Sequence, residues 1–331
     1  MGKEPKKWLA NDHISTGGDR GQLLLQLGSL QLRELMYISI AAQEFCDHSQ
    51  FFKGYSKDTI RRYRETVSLF CRSCNVQTFS QVSEEQVRNF FYKGRLERNW
   101  KSATFISFHK TLFVFFRWTV QRGYLENNPV SNIEKPKLEK QLPPKLTKQD
   151  ALKLLEIVFN YPYEYQFPRY RNHAIFATFL YAGLRKSELL HLQLMDVDVE
   201  NLTIFIRQGK SAEDRVIPMS TTLANTLRRY LEERKRLKRT CPEFFVSTNR
   251  NMGFTINGLK HLIEEIKRVS KIQFSAHKLR HTFATLMLEG GCDIYSLSRM
   301  MGHSDIKTTT IYLAASAEHL RVQMTKHPLN S

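Results

Sequence analysis

A histidine and an arginine three residues apart, His277 and Arg280, lie in the segment SAHKLRHTFA. Residues three apart on a helix share a face, so the imidazole and the guanidinium would point the same way. Ser275 is the predicted N-cap, which places both residues close to free backbone N–H groups that favour an anion. Two such donors suit a phosphate, although a pair of this kind also arises by chance on basic helices.

Other segments add residues of the same chemistry. In YAGLRKSELLHL, Arg185 follows a glycine-marked turn and enters a predicted helix, and Glu188 three residues later could hold its guanidinium. Lys210 follows Gly209 at the tip of a predicted hairpin, from which a lysine can reach into a cleft. His303 follows a glycine that is predicted to end a helix, and Tyr312 comes nine residues later.

The elements that must position these side chains are mainly helical. Two β-branched runs, residues 202–207 and 215–218, bracket a turn and predict a hairpin. Helical spacing and caps predict the other elements of this half, at residues 174–181, 187–193, 221–238, 255–269, 276–288, 293–301 and 305–312. The predicted class is therefore mainly α with a small β-sheet or hairpin.

The segment KPKLEKQLPPK, residues 135–145, predicts an extended linker because its prolines forbid a regular helix. Before it, helical spacing over residues 56–71, 83–98 and 101–123 predicts a helical domain, 51–134, whose aromatic residues form its core. Residues 1–50 are assigned to an N-terminal extension of unknown role, and residues 146–331 to a second domain with a C-terminal tail.

Net charge points to a polyanionic partner. Lys and Arg number 50 against 32 Asp and Glu, a formal charge of +18. Half of that excess lies in residues 51–140, where 17 Lys and Arg face 8 Asp and Glu, and such one-signed charge favours DNA phosphates over a merely solvated face.

Composition excludes several other classes of protein. The 41% of hydrophobic residues is too high for a disordered basic tail. No apolar run is long enough to span a membrane, so we expect a cytoplasmic protein with no membrane partner. The odd number of cysteines argues against a secreted disulfide framework. Cys71 and Cys74 have no second Cys or His pair at zinc-site spacing, so we expect buried thiols and no metal.

The sequence resembles the tyrosine recombinase (phage integrase) family, in its Xer-type or mobile-element integrase branch, because these polar residues occur in the same order and in matching sequence blocks. The resemblance covers about residues 56–321 and is strongest in YAGLRKSELLHL, HKLRHTFATLMLEGG and MMGHSDIKTTTIY. It implies a helical core-binding (SAM-like) domain and a mixed catalytic domain that together form a C-shaped clamp on DNA. It also implies a site-specific recombinase that cuts and rejoins duplex DNA through a 3′-phosphotyrosyl intermediate and a Holliday junction.

Family roles transfer to this sequence position by position. Arg185 and Arg280 match the two arginines that hold the scissile phosphate. Tyr312 matches the nucleophile, which becomes joined to the DNA 3′ end. Lys210 matches the hairpin lysine that protonates the departing 5′ oxygen.

The remaining matches are supporting residues. His277 would act as general acid–base near the nucleophile, and His303 would hydrogen-bond the phosphate. Glu188 would orient the site. The turn after Lys210 reads SAEDR, which departs from the commoner GKGxKxR pattern.

The resemblance further implies double-stranded recombination sites as partners, no metal or ATP cofactor, a nucleoid-associated homotetramer and exchange of the C-terminal tail between subunits. A tail that caps its own domain is the alternative. Two other functions stay open from the sequence: a catalytically silent DNA-binding regulator of this fold, and a topoisomerase with related tyrosine chemistry. The biological role, whether integration, excision or resolution, also stays open.

Overall fold

A computed structural model describes residues 36–138, 144–207, 214–303 and 307–313. The chain divides into two compact units, Met1–Lys140 and Gln141–Ser331. The expected C-shaped clamp concerns the arrangement of these units and stays a prediction. None of the helices in these ranges combines the length and the hydrophobicity of a transmembrane segment.

The first unit is helical in all of its principal elements. Ser56 and Ser83 cap two of them, because each hydroxyl accepts a hydrogen bond from the backbone N–H three residues later. The helices are α1 (Ile38–Phe51), α2 (Lys57–Cys74), α3 (Glu84–Leu96) and α4 (Ser102–Gln121).

The core of this unit is aromatic, as the sequence predicted. Phe70 makes edge-to-face contacts with Phe90 at 5.5 Å and with Phe116 at 5.6 Å between ring centroids. Helix α1 joins the same core, since Phe45 packs on Phe115 of α4. Residues 38–50, which the sequence assigned to an N-terminal extension, therefore belong to the helical unit. Their helix carries no side-chain cap, which left its start without a sequence signal.

The second unit is built around a buried helix, α6. Eleven of its residues are buried, so it lacks the polar face that an amphipathic pattern would show. The helices that precede the sheet are α5 (Lys148–Asn160), α6 (Gln166–Ala182) and α7 (Lys186–His191). Those that follow it are α8 (Thr221–Arg236), α9 (Ile256–Ser270), α10 (Ala276–Glu289), α11 (Ile294–Met301) and α12 (Lys307–Leu313).

Three short antiparallel strands complete the unit, in the order β1 (Val197–Asp198), β2 (Thr203–Ile206) and β3 (Arg215–Pro218). Ile206 pairs with Arg215 at the turn end of the predicted hairpin. The hairpin turn with Lys210 lies outside the described residues, as do residues 304–306 and the C-terminal tail from residue 314. The predicted class, mainly α with a small β-sheet, is confirmed.

Candidate active site

Arg185 and Glu188 fix each other at the start of α7. Helix α6 ends at Gly183 in the left-handed conformation, and Arg185 then becomes the N-cap of α7. The backbone N–H of Arg185 donates to Oε2 of Glu188 at 2.7 Å, and its Nη1 donates to Oε1 at 2.7 Å. Glu188 therefore holds the guanidinium of Arg185, as the three-residue spacing predicted, and its carboxylate also caps the helix.

A second arginine, which the sequence analysis did not select, binds the same carboxylate. Arg215, the first residue of β3, donates from Nη1 to Oε1 of Glu188 at 3.0 Å and from Nη2 to Oε2 at 2.8 Å. This is the bidentate geometry that a guanidinium forms with a carboxylate. A third arginine approaches too, with Nη1 of Arg280 lying 3.8 Å from Oε2.

The cluster is shielded from water. The side chains of Glu188, Arg280 and Arg215 are 5%, 4% and 9% exposed. Burial by itself would raise the pKa of Glu188, but the hydrogen bonds and charges of Arg215 and Arg185 outweigh it and lower the pKa to about 2. One permanent negative charge thus faces three positive ones, and the surplus makes the site receptive to an anion.

Backbone carbonyls hold Arg280 in place. From the first turns of α10, its Nη1 donates to the carbonyl oxygen of Gly183 and its Nη2 to that of Met301, both at 2.6 Å. Burial and the nearby Arg185 lower the pKa of Arg280 to about 10, which still leaves it charged at neutral pH. Carbonyls fix the guanidinium without cancelling its charge.

Two glycines present carbonyls to these arginines. Gly302 caps α11 with φ of +62°, and its carbonyl oxygen accepts from Nη2 of Arg185 at 2.6 Å. A Cβ there would lie 2.8 Å from Nη1 of Arg215. Gly183 also has φ of +62°, and a Cβ there would lie 2.2 Å from the ring of Phe283. At both positions any other residue would strain the backbone and press on a neighbouring side chain.

His303 is a neutral imidazole in this arrangement. Its Nδ1 lies 2.8 Å from Oγ1 of Thr309, and its Nε2 lies 3.3 Å from Nη2 of Arg280. Because a guanidinium can only donate, Nε2 accepts and the ring proton is on Nδ1. Burial and the charges of Arg280, Arg185 and Arg215 lower the pKa of His303 to about 4.

Tyr312 is buried in a small apolar cluster formed by α10, α11 and α12. The residue is 2% exposed and packs with Phe283, Leu297 and Met301. Its hydroxyl lies 2.7 Å from Nδ1 of His281. Burial raises the pKa of Tyr312, and the charges of Arg280 and Arg185 oppose that rise only in part.

His277 is exposed, one helical turn before His281 on α10. The two imidazoles meet edge to face, with ring centroids 4.1 Å apart. Partial shielding of the ring and the nearby Arg280 lower the pKa of His277. His277 therefore lies between solvent and the histidine that contacts the tyrosine.

The structure joins Arg185, Glu188, Arg280 and His303 in one network of hydrogen bonds and ion pairs. It connects Tyr312 to α10 through His281, beside His277, whereas Lys210 lies outside the described residues. The roles assigned to these residues stay predictions.

Sequence reasoning missed Arg215 and His281. The signal for His281 was present, because His281 follows His277 by four residues and so shares its helix face. The signal for Arg215 was weaker: it ends the turn that follows Lys210.

The described ranges contain no group of three or more His, Cys, Asp or Glu residues that could hold a metal ion. Cys71 and Cys74 are free thiols. Burial and the neighbouring Cys74 raise the pKa of Cys71 to about 12, and burial raises that of Cys74 to about 11. Both are therefore protonated at neutral pH.

Two family matches divide the chain much as its units do. Residues 144–319 match the phage integrase family, and residues 42–126 match its N-terminal SAM-like domain. The chain belongs to the phage integrase family. The first match alone covers more than half of the sequence, and it contains the whole arginine network and Tyr312.

Relatives of this phage integrase family member include Xer recombinases. The chain is 31% identical to tyrosine recombinase XerC of Oceanobacillus iheyensis, over 86% of the chain and 94% of the relative. It is 29% identical to tyrosine recombinase XerA of Pyrococcus horikoshii, over 90% of the chain and 96% of the relative. The protein is thus a site-specific tyrosine recombinase of the Xer type, an enzyme that breaks and rejoins DNA.

Solved structures share the fold of this family member. A XerH site-specific recombinase bound to palindromic difH substrate matches with a TM-score of 0.68 and 20% identity, over 87% of the chain and 84% of that structure. A lambda integrase dimer bound to a COC′ core site matches with a TM-score of 0.67 and 15% identity, over 92% and 81%. At these identities the likeness extends to the fold alone.

Proposed function

We propose that Tyr312 attacks the scissile phosphate of a recombination site and becomes linked to the DNA 3′ end, while the arginine network holds that phosphate. The observation that carries the proposal is the convergence of Arg185, Arg215 and Arg280 on the single carboxylate of Glu188. Buried cations in excess of their counterion are costly to maintain unless an anion binds there.

The chemistry of phosphoryl transfer supports this role. Negative charge builds up on the equatorial oxygens of the phosphate as the nucleophile attacks, and fixed donors in a dry site stabilise it. A guanidinium carries five N–H donors, so Arg185 and Arg280 keep donors for the phosphate beyond those that bind Glu188 and the backbone. Cleavage requires no metal ion, because the fixed arginines supply the positive charge. Rejoining requires no ATP, because the phosphotyrosyl bond conserves the energy of the broken bond.

Three further residues complete the proposed mechanism. Lys210 protonates the departing 5′ oxygen from the hairpin turn. His303 donates a hydrogen bond to the phosphate from Nε2 once its ring proton has moved there from Nδ1. His277 takes part in the acid–base chemistry close to Tyr312 through its ring contact with His281. Lys210 and His303 share one chemical reason, since every negative or departing oxygen requires a positioned donor.

The experiment begins by selecting bound duplexes from a random-sequence library with the purified protein. The enriched site is then synthesised with a nick, so that cleavage releases a short strand and traps the covalent adduct. We expect an adduct with the wild-type protein, in EDTA and without ATP, and none with Tyr312→Phe. An adduct in the Phe variant would contradict the assignment of the nucleophile.

The same material separates the two alternative functions. A silent DNA-binding regulator would bind the site and form no adduct. A topoisomerase would relax supercoiled DNA without exchanging strands between two sites. We expect recombinant products from two labelled duplexes that carry the site, through a Holliday junction that can be isolated when ligation is slowed.

We also propose that four copies assemble on two sites, that the tail beyond residue 313 binds a neighbouring copy, and that the protein works at the cytoplasmic nucleoid. The resemblance to Xer recombinases supports this proposal, and exposed basic residues of the helical unit would add phosphate contacts. The mass of the complex on a DNA with two sites tests it, with a chain truncated after residue 313 as the comparison. Two copies per two-site DNA would overturn the proposal.

A further inference from the structure

The contact between Tyr312 and His281 places a proton acceptor beside the phenol, which the arginine network cannot provide. A phenol must lose its proton when its oxygen attacks phosphorus, and guanidinium groups only donate. We propose that His281 is the residue that accepts this proton, which makes it a catalytic residue of the cleavage step. This inference rests on the proposed function, in which Tyr312 is the nucleophile.

The geometry already has the form of a donor–acceptor pair. The hydroxyl of Tyr312 is 2.7 Å from Nδ1 of His281, within the 2.6–3.2 Å reach that a general base requires. Both residues are buried, at 2% and 7% exposed, so water does not compete freely for the proton. A phenol is a stronger donor than acceptor, which places the lone pair of Nδ1 towards the hydroxyl.

Two packed helices fix this pair. His281 lies in α10, and its backbone carbonyl accepts a hydrogen bond from Thr285 at 3.0 Å. Tyr312 lies in α12, and its ring packs against Leu288 of α10 and Met301 of α11. The hydroxyl and the imidazole are thus brought together by the apolar packing of these helices.

The charge state of the imidazole is correct for an acceptor. Burial, with the neighbouring His277 and Arg280, lowers the pKa of His281 to about 4, so it is neutral at pH 7. The raised pKa of Tyr312 keeps the phenol protonated in the resting site. The proton must therefore move during the attack, when bond formation to phosphorus makes the phenol much more acidic.

The substrate favours the protonated imidazole. A scissile phosphate on Arg185 and Arg280 would bring negative charge beside Arg280, whose positive charge opposes protonation of His281. The base would thus be weak in the empty site and stronger once DNA is bound.

Atoms and charge balance in both directions. In cleavage, the O–H bond of Tyr312 breaks, its oxygen forms a bond to phosphorus and the proton passes to Nδ1 of His281. The bond from phosphorus to the 5′ oxygen breaks, and that oxygen leaves with a proton from the proposed acid, Lys210. In rejoining, the 5′ hydroxyl attacks and returns its proton to the neutral amine of Lys210, and Tyr312 departs with the proton held by His281.

His277 is the alternative acceptor and the one that the sequence suggests. It is exposed, and its ring packs against His281, whereas the hydroxyl of Tyr312 is in contact with His281. In the proposed arrangement His277 supports the imidazole of His281 from the solvent side.

The test uses the full-length chain and the nicked duplex, with protein in excess so that the rate of adduct formation reports on cleavage. His281→Asn retains an oxygen that can accept the hydrogen bond but cannot take the proton. His281→Phe removes both capacities, and His261→Asn, at an exposed position on α9, is the matched control. His281→Gln is a second acceptor variant for the case that the Asn chain melts early.

Each variant is also prepared with a fluorinated tyrosine at position 312. Its phenol is more acidic because fluorine withdraws electron density, so it needs less help from a base. Melting temperature and binding to the duplex are measured alongside, which identifies any variant that has not folded.

We expect His281→Asn and His281→Phe to slow cleavage by about a hundredfold or more, the usual contribution of a general base. With fluorotyrosine at position 312, the loss of cleavage rate caused by His281→Asn should be smaller by about tenfold or more. His261→Asn should leave the cleavage rate unchanged. Cleavage by His281→Asn within about threefold of wild type, or a defect that fluorotyrosine leaves unchanged, would overturn the inference. An adduct in Tyr312→Phe would instead defeat the proposed function.

Discussion

Arginines occur in two very different settings in this protein. In the helical unit, Arg61 pairs with Asp58 on the surface of α2, at 70% and 87% exposed. In the second unit, Arg280 and Glu188 are 4% and 5% exposed, and backbone carbonyls hold the guanidinium. Arg61 is thus exposed to water, whereas Arg280 is buried and held by hydrogen bonds.

The difference separates two functions of positive charge. An exposed pair contributes little to stability and is screened by salt, so basic residues of the helical unit are available for diffuse attraction to DNA. A buried cluster gives no clear gain in stability over apolar packing, but its donors are already oriented and dry. The buried arginines thus suit one phosphate, and the exposed ones suit the duplex as a whole.

Removing a buried arginine should have the largest effect. Arg280→Ala should lower the cleavage rate about a thousandfold, because one fixed donor to the transition state is lost, and leave DNA binding within a few fold. Single-turnover cleavage of the nicked duplex measures this. Arg61→Ala is the surface control and should cleave at the wild-type rate, so equal losses in both variants would erase the distinction between the settings.

Removing the shared carboxylate should destabilise the fold. Glu188→Gln leaves three clustered guanidinium groups without their counterion, two of them buried, at a cost of about 3 kcal/mol in the free energy of unfolding. Urea unfolding measures it. Asp58→Asn, which breaks the surface pair of Arg61, should cost less than about 0.5 kcal/mol. A Glu188→Gln protein as stable as wild type would show that the arginines do not need the carboxylate.

Acid should weaken the second unit through its buried histidines. His281 and His303 have pKa values of about 4, below the usual 6.5, so the unfolded chain binds protons that the folded one does not. Their contribution to the free energy of unfolding is complete above pH 6.5. It falls as the pH falls towards 4, and the loss at pH 5 is about 2 kcal/mol per histidine. Urea unfolding at pH 7 and 5 measures the loss, and His281→Asn should reduce it. An equal loss in that variant would contradict this assignment.

A pair of glycines tests the packing around the arginines. Gly302 and Gly54 have φ of +62° and +65°, so alanine at either should cost about 1 kcal/mol in backbone strain. A Cβ at Gly302 would also press on Arg215, whereas nothing lies within 4 Å of one at Gly54. Gly302→Ala should therefore melt at a lower temperature than Gly54→Ala and cleave more slowly. Identical behaviour would mean that Arg215 shifts at no cost.

The smallest effect is expected from the surface of the helical unit. Lys110 and Arg117 are exposed and lie seven residues apart on α4, hence on one face. If both contact phosphates, replacing either by alanine should reduce the slope of log K against log salt by about 0.9, with cleavage at saturating DNA unchanged. Fluorescence anisotropy between 50 and 200 mM salt measures the slope. An unchanged slope would place the DNA contacts on another face.

Local patterns explain why much of the site could be predicted. Glu188 lies three residues after Arg185, so the helix geometry of α7 was enough to predict their pairing. In the same way, serine and threonine caps predicted helices of the second unit, and the β-branched runs predicted its hairpin. Helix α1 was missed because its N-cap residue, Tyr37, makes no capping hydrogen bond from its side chain.

The sequence by itself determined which residues are available and which of them share a helix face or a turn. Only the tertiary structure decided their partners: Arg215 meets Glu188 across 27 residues, and His281 meets Tyr312 across 31. The carbonyls that hold Arg280 belong to Gly183 and Met301, and every residue has a carbonyl. Local rules extend over one helical turn or one hairpin, whereas these contacts depend on how α6, α10, α11 and α12 pack, and packing is a property of the whole core.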